Sequence, residues 1–599
     1  MPFKQSFETF KAFFRGRLSG ADALPQLSLL GLLVGALTAA VILLFRFLIE
    51  WPLATFLPEG DPENFEGLSL YARTILPLAG AVLIALIWYR LKISQRKVGV
   101  ALVMERLNYH QGYINFKSFM TQFVGGILTL VSGQSSGREG PAVHLGAACS
   151  SLLGQYFRLP NNSIRTLIGC GTAAAISASF NTPIAGVIFA MEVVMMEYTI
   201  AGFTPVILAS VTAALLSQAV YGADPAFLVP QLFMNSLVEV PFIVISGIVI
   251  GIVSAGFVRL MKQAMRFNHI NIFYRIVCAG ILTAAVAVVF PEVMGIGYDT
   301  VNQTLLGQFG FFILCGIALS KIVVTAITVG LGMPNGLVGP TLFIGATVGG
   351  AMGLLAQWLM PSIASSPGFY AMLGMGAMMG SVLQAPLAAL MALLELTQNP
   401  NIILPGMLII VISSMFASEV FKQKSVFVTI LEQQGLNYQN SPVTQALRRV
   451  SVGAIMERKF DQSEKMIDFD QAKALLRQEP KWILINGSEG LPISLLPSVD
   501  LANYVVEHEQ DFVDAENDPL KERRLIDLLD IPAQRRDIAP IYVQATLQEA
   551  LDQFAESKTE ALFVERTQTS MIRNTPMIKS VLGVIMRADL DNYYQYKRN

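Results

Sequence analysis

The sequence predicts an all-α polytopic membrane protein, built from two repeats of tilted and partial helices and followed by an α/β tail. Three observations predict this. The 599-residue chain is 53% hydrophobic and 14% charged, where soluble domains carry roughly 25% charged residues. Its apolar excess, with a mean hydropathy of +0.53 for the whole chain, sits between about Leu27 and Val426. A glycine-proline frame, Gly137-Arg138-Glu139-Gly140-Pro141, returns 199 residues later as Gly336-Leu337-Val338-Gly339-Pro340.

Residues 1–25 carry Lys4, Lys11, Arg15 and Arg17, with Phe3, Phe7, Phe10, Phe13 and Phe14 at helical spacing. This predicts an amphipathic helix lying on the cytoplasmic face. The first apolar run lacks the small-residue cleavage site of a signal peptide. Leu27–Phe45 is uncharged over close to the ~20 residues that a span requires. Further apolar stretches follow at Ile75–Tyr89, Phe123–Val131, Thr166–Met191, Val206–Val220, Pro241–Val258 and Ile276–Phe290. The series continues with Phe311–Leu319, Ile322–Leu331, Leu342–Met360, Met372–Leu394 and Ile402–Phe416. Several are short for a straight span and many hold Gly or Pro, which predicts tilted and half-spanning helices. Cys149, Cys170, Cys278 and Cys315 lie in apolar stretches without metal spacing and read as buried small hydrophobes.

The repeat extends past the first frame. Gly146-Ala147 matches Gly345-Ala346, and Pro183-Ile184-Ala185 matches Pro386-Leu387-Ala388. Glu192 and Glu395 each follow their proline by nine residues. This places two halves at roughly 26–222 and 236–432 within a membrane domain of 26–447.

The frames suit an anion. Proline fits the first turn of a helix because its missing N–H has no partner there anyway. The remaining free N–H groups and the helix dipole attract negative charge. Partial charges hold a small anion without trapping it, and conduction needs that balance. Charge inside a membrane marks an ion or substrate path. Glu139, at such a helix end, reads as a tethered anion that closes the path until it is protonated or displaced. Val338 stands where the second frame would need an acid, so the gate is one-sided.

At these residues the sequence resembles the CLC family of chloride channels and chloride/proton antiporters, over about Gln26–Leu431. The resemblance implies two inverted halves and a homodimer with one pore per subunit. It also implies that Glu139 is the gate and that chloride is held by backbone amides of Leu337 and Val338, with Gly336, Arg138 and Gly140 nearby. The family's first anion segment aligns with Lys97-Val98-Gly99-Val100-Ala101, where Val98 replaces the usual serine. Phe427 replaces the late tyrosine. With both hydroxyl donors gone, each worth ~0.5–1.5 kcal/mol, weaker central binding and looser anion discrimination are expected. Lys97 reads either as a cation near the inner mouth or as a snorkelling side chain. The second, inner glutamate of many antiporters aligns with Val193, which cannot relay a proton. Glu197 reads as a substitute carboxylate or a solvated helix end. Glu192 and Glu395 read as structural caps, Lys321 as a snorkelling anchor rather than a buried counter-charge, and His144 as a satisfied core histidine.

From 448 the chain reads as soluble, with amphipathic helices at Asp468–Leu476 and Leu547–Ser557 and a charged linker at Asp511–Arg524. Two stretches, about 450–507 and 533–597, resemble a CBS pair. Asp500 and Asp589 fall on the ribose-binding position of that module, but Pro497 and Met586 replace the hydroxyls, so adenine nucleotide binding is disfavoured.

The expected function is transmembrane chloride transport through a voltage-gated, glutamate-gated pore. A passive channel or uniporter is the first reading and a chloride/proton antiporter the alternative. A CBS-linked divalent-cation channel would need clustered membrane carboxylates, and a non-conducting sensor would use the tail as output. The tail carries no enzyme motif. No cofactor is required, and the expected partners are chloride and other small anions, the plasma membrane and a second copy of the chain, not nucleic acid. Both termini are expected in the cytoplasm.

Overall fold

The computed structural model describes residues 24–198, 200–224, 227, 232–436, 442–487, 490–510, 525–566 and 581–598. The amphipathic N-terminal helix falls almost wholly outside these residues, as does the linker at Asp511–Arg524. Two compact units result: Leu24–Phe157 with Ile164–Gln439, and Arg158–Ser163 with Asn440–Asn599.

The first half of the membrane unit holds α1 (Leu24–Phe56), α2 (Leu70–Arg90), α3 (Gly99–Tyr109), α4 (Phe116–Val131), α5 (Glu139–Phe157), α6 (Asn161–Phe180), α7 (Pro183–Phe189) and α8 (Ile200–Tyr221). The second half holds α9 (Val240–Met265), α10 (Ile272–Ala287), α11 (Tyr298–Leu305), α12 (Phe311–Gly330), α13 (Val338–Leu359), α14 (Pro367–Leu383), α15 (Pro386–Thr397), α16 (Ile403–Phe421) and α17 (Val426–Gln433). Among the described residues, seven helical segments are long and apolar enough to cross a membrane, and five shorter ones are apolar.

Prolines decide where apolar stretches break. Thr166–Met191 reads as one run, yet the chain turns at Asn181 (φ 59°) before Pro183. Met372–Leu394 turns at Gln384 (φ 53°) before Pro386. A proline ring bars a helix from running into it, so each stretch becomes two helices. The opposite correction applies to Phe311–Leu319 and Ile322–Leu331. They form a single helix, α12, with Lys321 inside it.

The halves repeat each other in packing. α1 lies along α8, and α9 along α16. α5 crosses α6 at Gly146 and Gly171, where a Cβ on either residue would stand 2.2 Å from the other's carbonyl oxygen. α13 crosses α14 at Gly345 and Gly374 with corresponding clearances of 2.3 and 2.1 Å. These small residues let backbones touch, as close helix packing in a bilayer requires.

Glu192 and Glu395 are reciprocal caps. Glu192 accepts from the N–H groups of Leu387 (3.3 Å) and Ala388 (2.6 Å) at the start of α15. Glu395 accepts from those of Ile184 (2.9 Å) and Ala185 (2.7 Å) at the start of α7. Each half caps the other's helix, as expected of an acid at a helix N-terminus. Of the cysteines, all free, only Cys170 is buried; Cys278 and Cys315 are exposed on apolar helices, where a small apolar thiol costs nothing facing lipid.

The tail is a duplicated β-α-β-β-α unit. One copy runs β1 (Phe460–Glu464), α20 (Phe469–Arg477), β3 (Trp482–Asn486), β4 (Pro492–Pro497) and α21 (Ser498–Glu507). The other runs β6 (Arg536–Tyr542), α22 (Leu547–Ser557), β7 (Ala561–Glu565), β8 (Val581–Met586) and α23 (Arg587–Arg598). Two short helices, α18 (Pro442–Arg448) and α19 (Val452–Ile455), precede them. In each copy the first strand pairs parallel with the second and the second antiparallel with the third. β4 pairs antiparallel with β6 and joins the copies in one six-stranded sheet. A two-stranded ribbon of β2 (Met466–Ile467) and β5 (Ile526–Asp527) lies apart from it. The capping boxes Asp468/Gln471 and Thr546/Glu549 start α20 and α22, near the sequence-expected positions.

Candidate site at the crossing of the two glycine-proline frames

The two frames meet directly. The N–H of Gly137 donates to the carbonyl of Gly336 at 3.0 Å. The N–H of Gly336 donates to Ser136 Oγ at 3.2 Å, and Asn335 Nδ2 donates to the Ser135 carbonyl at 2.7 Å. Ser135 is itself held by Thr325 at 2.8 Å. The crossing tolerates no side chain: a Cβ on Gly336 would stand 2.2 Å from Gly137 O, and one on Gly140 2.7 Å from Gly336 Cα.

Glu139 is buried, at 1% exposure, and folds back over this crossing. Its Oε2 accepts from the N–H of Gly339 at 3.0 Å. Its Oε1 accepts from the hydroxyl of Tyr298 at 2.6 Å. Gly339 lies in the first turn of α13, so a carboxylate from the first half occupies the helix N-terminus of the second. Such an end has unpaired N–H groups and a favourable dipole for an anion. Cβ atoms on Gly137 and Gly339 would stand 2.1 Å and 3.0 Å from the carboxylate oxygens, which explains why both are glycine.

Cavities lie on either side. Arg138 and Tyr298 line one of about 360 Å³, together with Arg46, Glu50, Glu63 and Asn181. Arg138 does not pair with its neighbour Glu139. It reaches Glu50 at 3.4 Å, and its guanidinium lies over the Phe180 ring at 5.0 Å. Gly140 lines the other cavity, of about 570 Å³, which also gathers Val98, Gly99, Leu337 and Phe427. Of the residues expected around the anion, Val98, Gly99, Gly140, Leu337 and Phe427 share this cavity, while Arg138 lines the opposite one. One expectation is corrected: the Gly99 N–H is taken by Gln122 Oε1 (2.8 Å) and His144 Nδ1 (3.1 Å), so it is not a free anion ligand. Val338 and Glu139 share a small, mostly apolar cavity of about 30 Å³ with Thr182, Phe189 and Leu342.

The neighbours sort themselves by burial. His144 is a satisfied core histidine, also contacting Ser118 at 3.2 Å. Lys97 lines the larger cavity but pairs with Glu105 at 2.8 Å. Glu197 is not a solvated helix end: it is buried and paired with Arg165 at 3.3 Å. Lys321 is not a snorkelling anchor. It is wholly buried, donates to the carbonyls of Val293 (3.0 Å) and Gly295 (3.2 Å), and lies 4.5 Å from the centre of the Phe343 ring. It thereby pins the turn that leads into Tyr298, because Gly295 O also accepts from Ser136 N at 3.3 Å. Val193 is buried in the wide turn Ala190–Met195 that extends α7.

Tyr298 escapes a reading of the sequence. The available signal is Gly297, whose φ of 80° makes a third glycine-led helix start. Tyr298→Phe keeps the ring contacts with Phe180 and Phe227 and removes only the donor to Glu139. A hydrogen bond to a charged group contributes about 1.5–3 kcal/mol. The expected result is a closed state weakened roughly tenfold or more, read as faster chloride flux at alkaline pH; unchanged flux would show that the hydroxyl does not hold the gate.

Residues 80–418 match the family model described as voltage-gated chloride channel. A ClcB-like chloride channel protein of Ralstonia nicotianae is 30% identical over 63% of this chain and 90% of its own length. The H(+)/Cl(-) exchange transporter ClcA of Vibrio vulnificus is 28% identical over 52% of this chain and 69% of its own. The crystal structure of a slow cyanobacterial Cl-/H+ antiporter superposes with a TM-score of 0.60 at 22% identity, covering 70% of this chain and 98% of that one. This likeness establishes the fold: an inverted repeat of tilted and partial helices.

Proposed function

The chain belongs to the voltage-gated chloride channel family, and we propose that it exchanges chloride for protons across the membrane, with Glu139 as both gate and proton acceptor. The observation that carries this reading is that one site has two claimants. The Glu139 carboxylate sits at the N-terminus of α13 through Gly339, where a permeant anion would bind. A proton neutralises the carboxylate and weakens its hold, and an anion then takes its place. Protonation and anion entry become steps of one cycle. The exchange name of the Vibrio relative supports this over the passive channel first expected. A passive channel has one observation in its favour: Val193 is apolar and Glu197 is engaged by Arg165.

The tail is read as a CBS pair, from its two β-α-β-β-α copies. Asp500 accepts from the N–H of Gln534 at 2.9 Å and Asp589 from that of Met586 at 2.8 Å. These bonds support a structural or dimerising role over nucleotide binding. A homodimer in the plasma membrane, with the tail in the cytoplasm, completes the reading.

The test is a proteoliposome carrying a chloride gradient, with the external pH recorded. Exchange drives protons uphill against chloride flow. Chloride movement with a flat pH trace would overturn exchange and restore the passive channel.

A further inference from the structure

We infer that the larger cavity is also a docking site for a multivalent phosphate-bearing anion, held between Arg96 and Arg275, that obstructs the anion path. Its volume of about 570 Å³ lies in the ~300–1,000 Å³ range of organic ligand sites, far more room than a halide fills. Arg96, Lys97, Arg275 and His269 line it, and among the described residues no Asp or Glu does. The opposite cavity is balanced differently: Arg46 and Arg138 face Glu50, Asp61, Glu63 and Asp224. Excess positive charge is thus a property of one mouth, not of both.

Lys97 is neutralised by Glu105, which leaves the two arginines. Arg96 is held by carbonyls, not carboxylates: its Nε donates to Leu91 O at 3.0 Å and an Nη to Tyr89 O at 3.2 Å. Its charge stays uncompensated while its side chain is fixed. Arg275 lines the same cavity as Arg96. One Nη of Arg275 makes a long bond of 3.4 Å to Asn268 O, and its buried Nε has no partner among the described residues. The other Nη rests against Gly332, where a Cβ would stand 2.9 Å away, so the guanidinium sits beside the turn that precedes the second frame.

Two guanidinia lining one cavity, one fixed by carbonyls and the other with an unmet donor, suit one bridging polyanion. The planar fork of arginine matches phosphate oxygens in pairs. A single chloride satisfies neither geometry nor charge. Because Val98, Leu337 and Phe427 line the same cavity, an anion lodged there stands between solution and the frames. The exposed rim residue Ile93 makes a phospholipid headgroup one source of the phosphate and a soluble polyphosphate the other.

The experiment measures direct binding to the full-length protein, so it does not depend on the exchange reading. Tripolyphosphate, which lacks any adenine for the tail, is titrated calorimetrically at fixed ionic strength. In a second arm, thermal midpoints are compared with and without short-chain phosphatidylinositol phosphate. We expect tripolyphosphate to bind and to slow chloride flux, and Arg275→Gln and Arg96→Gln each to weaken binding about tenfold. Arg275→Lys, which keeps the charge but not the fork, falls between them and the native protein. A response to the lipid alone assigns the site to a headgroup. No binding of either probe at millimolar concentration, or equal binding by well-folded variants, would overturn the proposal.

Discussion

Replacing Glu139 with glutamine will uncouple the protein: chloride still flows, the flux loses its dependence on pH, and no proton movement accompanies it. The amide keeps the shape of the carboxylate, but its single oxygen can accept from only one of Gly339 and Tyr298, which in the native protein donate to separate carboxylate oxygens. It cannot take up a proton and has no charge to set against the N-terminus of α13. Hydrogen bonds involving a charged partner contribute about 1.5–3 kcal/mol and neutral ones about 0.5–1.5. The closed arrangement therefore weakens by about 1 kcal/mol or more, close to tenfold in its population. Glu139→Ala removes both bonds and opens the path further. Paired recordings of chloride and pH in proteoliposomes measure both quantities at once. A glutamine variant that still moves protons at the native rate would remove Glu139 from the proton route.

Gly336→Ala will be a strongly damaging single-methyl change in the membrane unit. The new Cβ would stand 2.2 Å from Gly137 O and 3.0 Å from Gly140 N, all backbone atoms with no rotamer to move. Overpacking a well-filled interior costs typically 1–3 kcal/mol, and here the strain falls on the bond between Gly137 and Gly336 that joins the halves. Gly256→Ala in α9 is the control, since a Cβ there meets nothing within 4 Å. Yield of monodisperse protein and its thermal midpoint separate the two: Gly336→Ala falls sharply and Gly256→Ala stays at the native value. Equal behaviour would mean that the frames can part without loss.

The two glycine-proline frames and the acid at their crossing were legible because they depend on local chemistry. Proline position, glycine spacing and a carboxylate in an apolar run are visible within a few residues. The repeat was legible because Pro183 to Glu192 and Pro386 to Glu395 keep one spacing. What could not be read were contacts between residues far apart in the chain. Tyr298 reaches Glu139 across 159 residues and Arg138 reaches Glu50 across 88. Lys321 and Glu197 were misjudged for the same reason. Each looks like a surface charge until the partner that satisfies it, a pair of carbonyls or Arg165, is brought alongside by the fold. Gly99 fails as a ligand because Gln122 and His144, from two other helices, reach its N–H first.

The reciprocal caps carry a consequence for how the protein is made. Glu192 leaves the ribosome long before Leu387 and Ala388, the N–H groups it serves. Until then the start of α7 also lacks Glu395. The newly inserted first half is therefore unfinished, with an open helix start at Ile184 and Ala185 and an unmatched acid, Glu192, at the other end of the same helical segment. Synthesis of the second half supplies both missing partners, so the starts of α7 and α15 are completed only when the two halves come together.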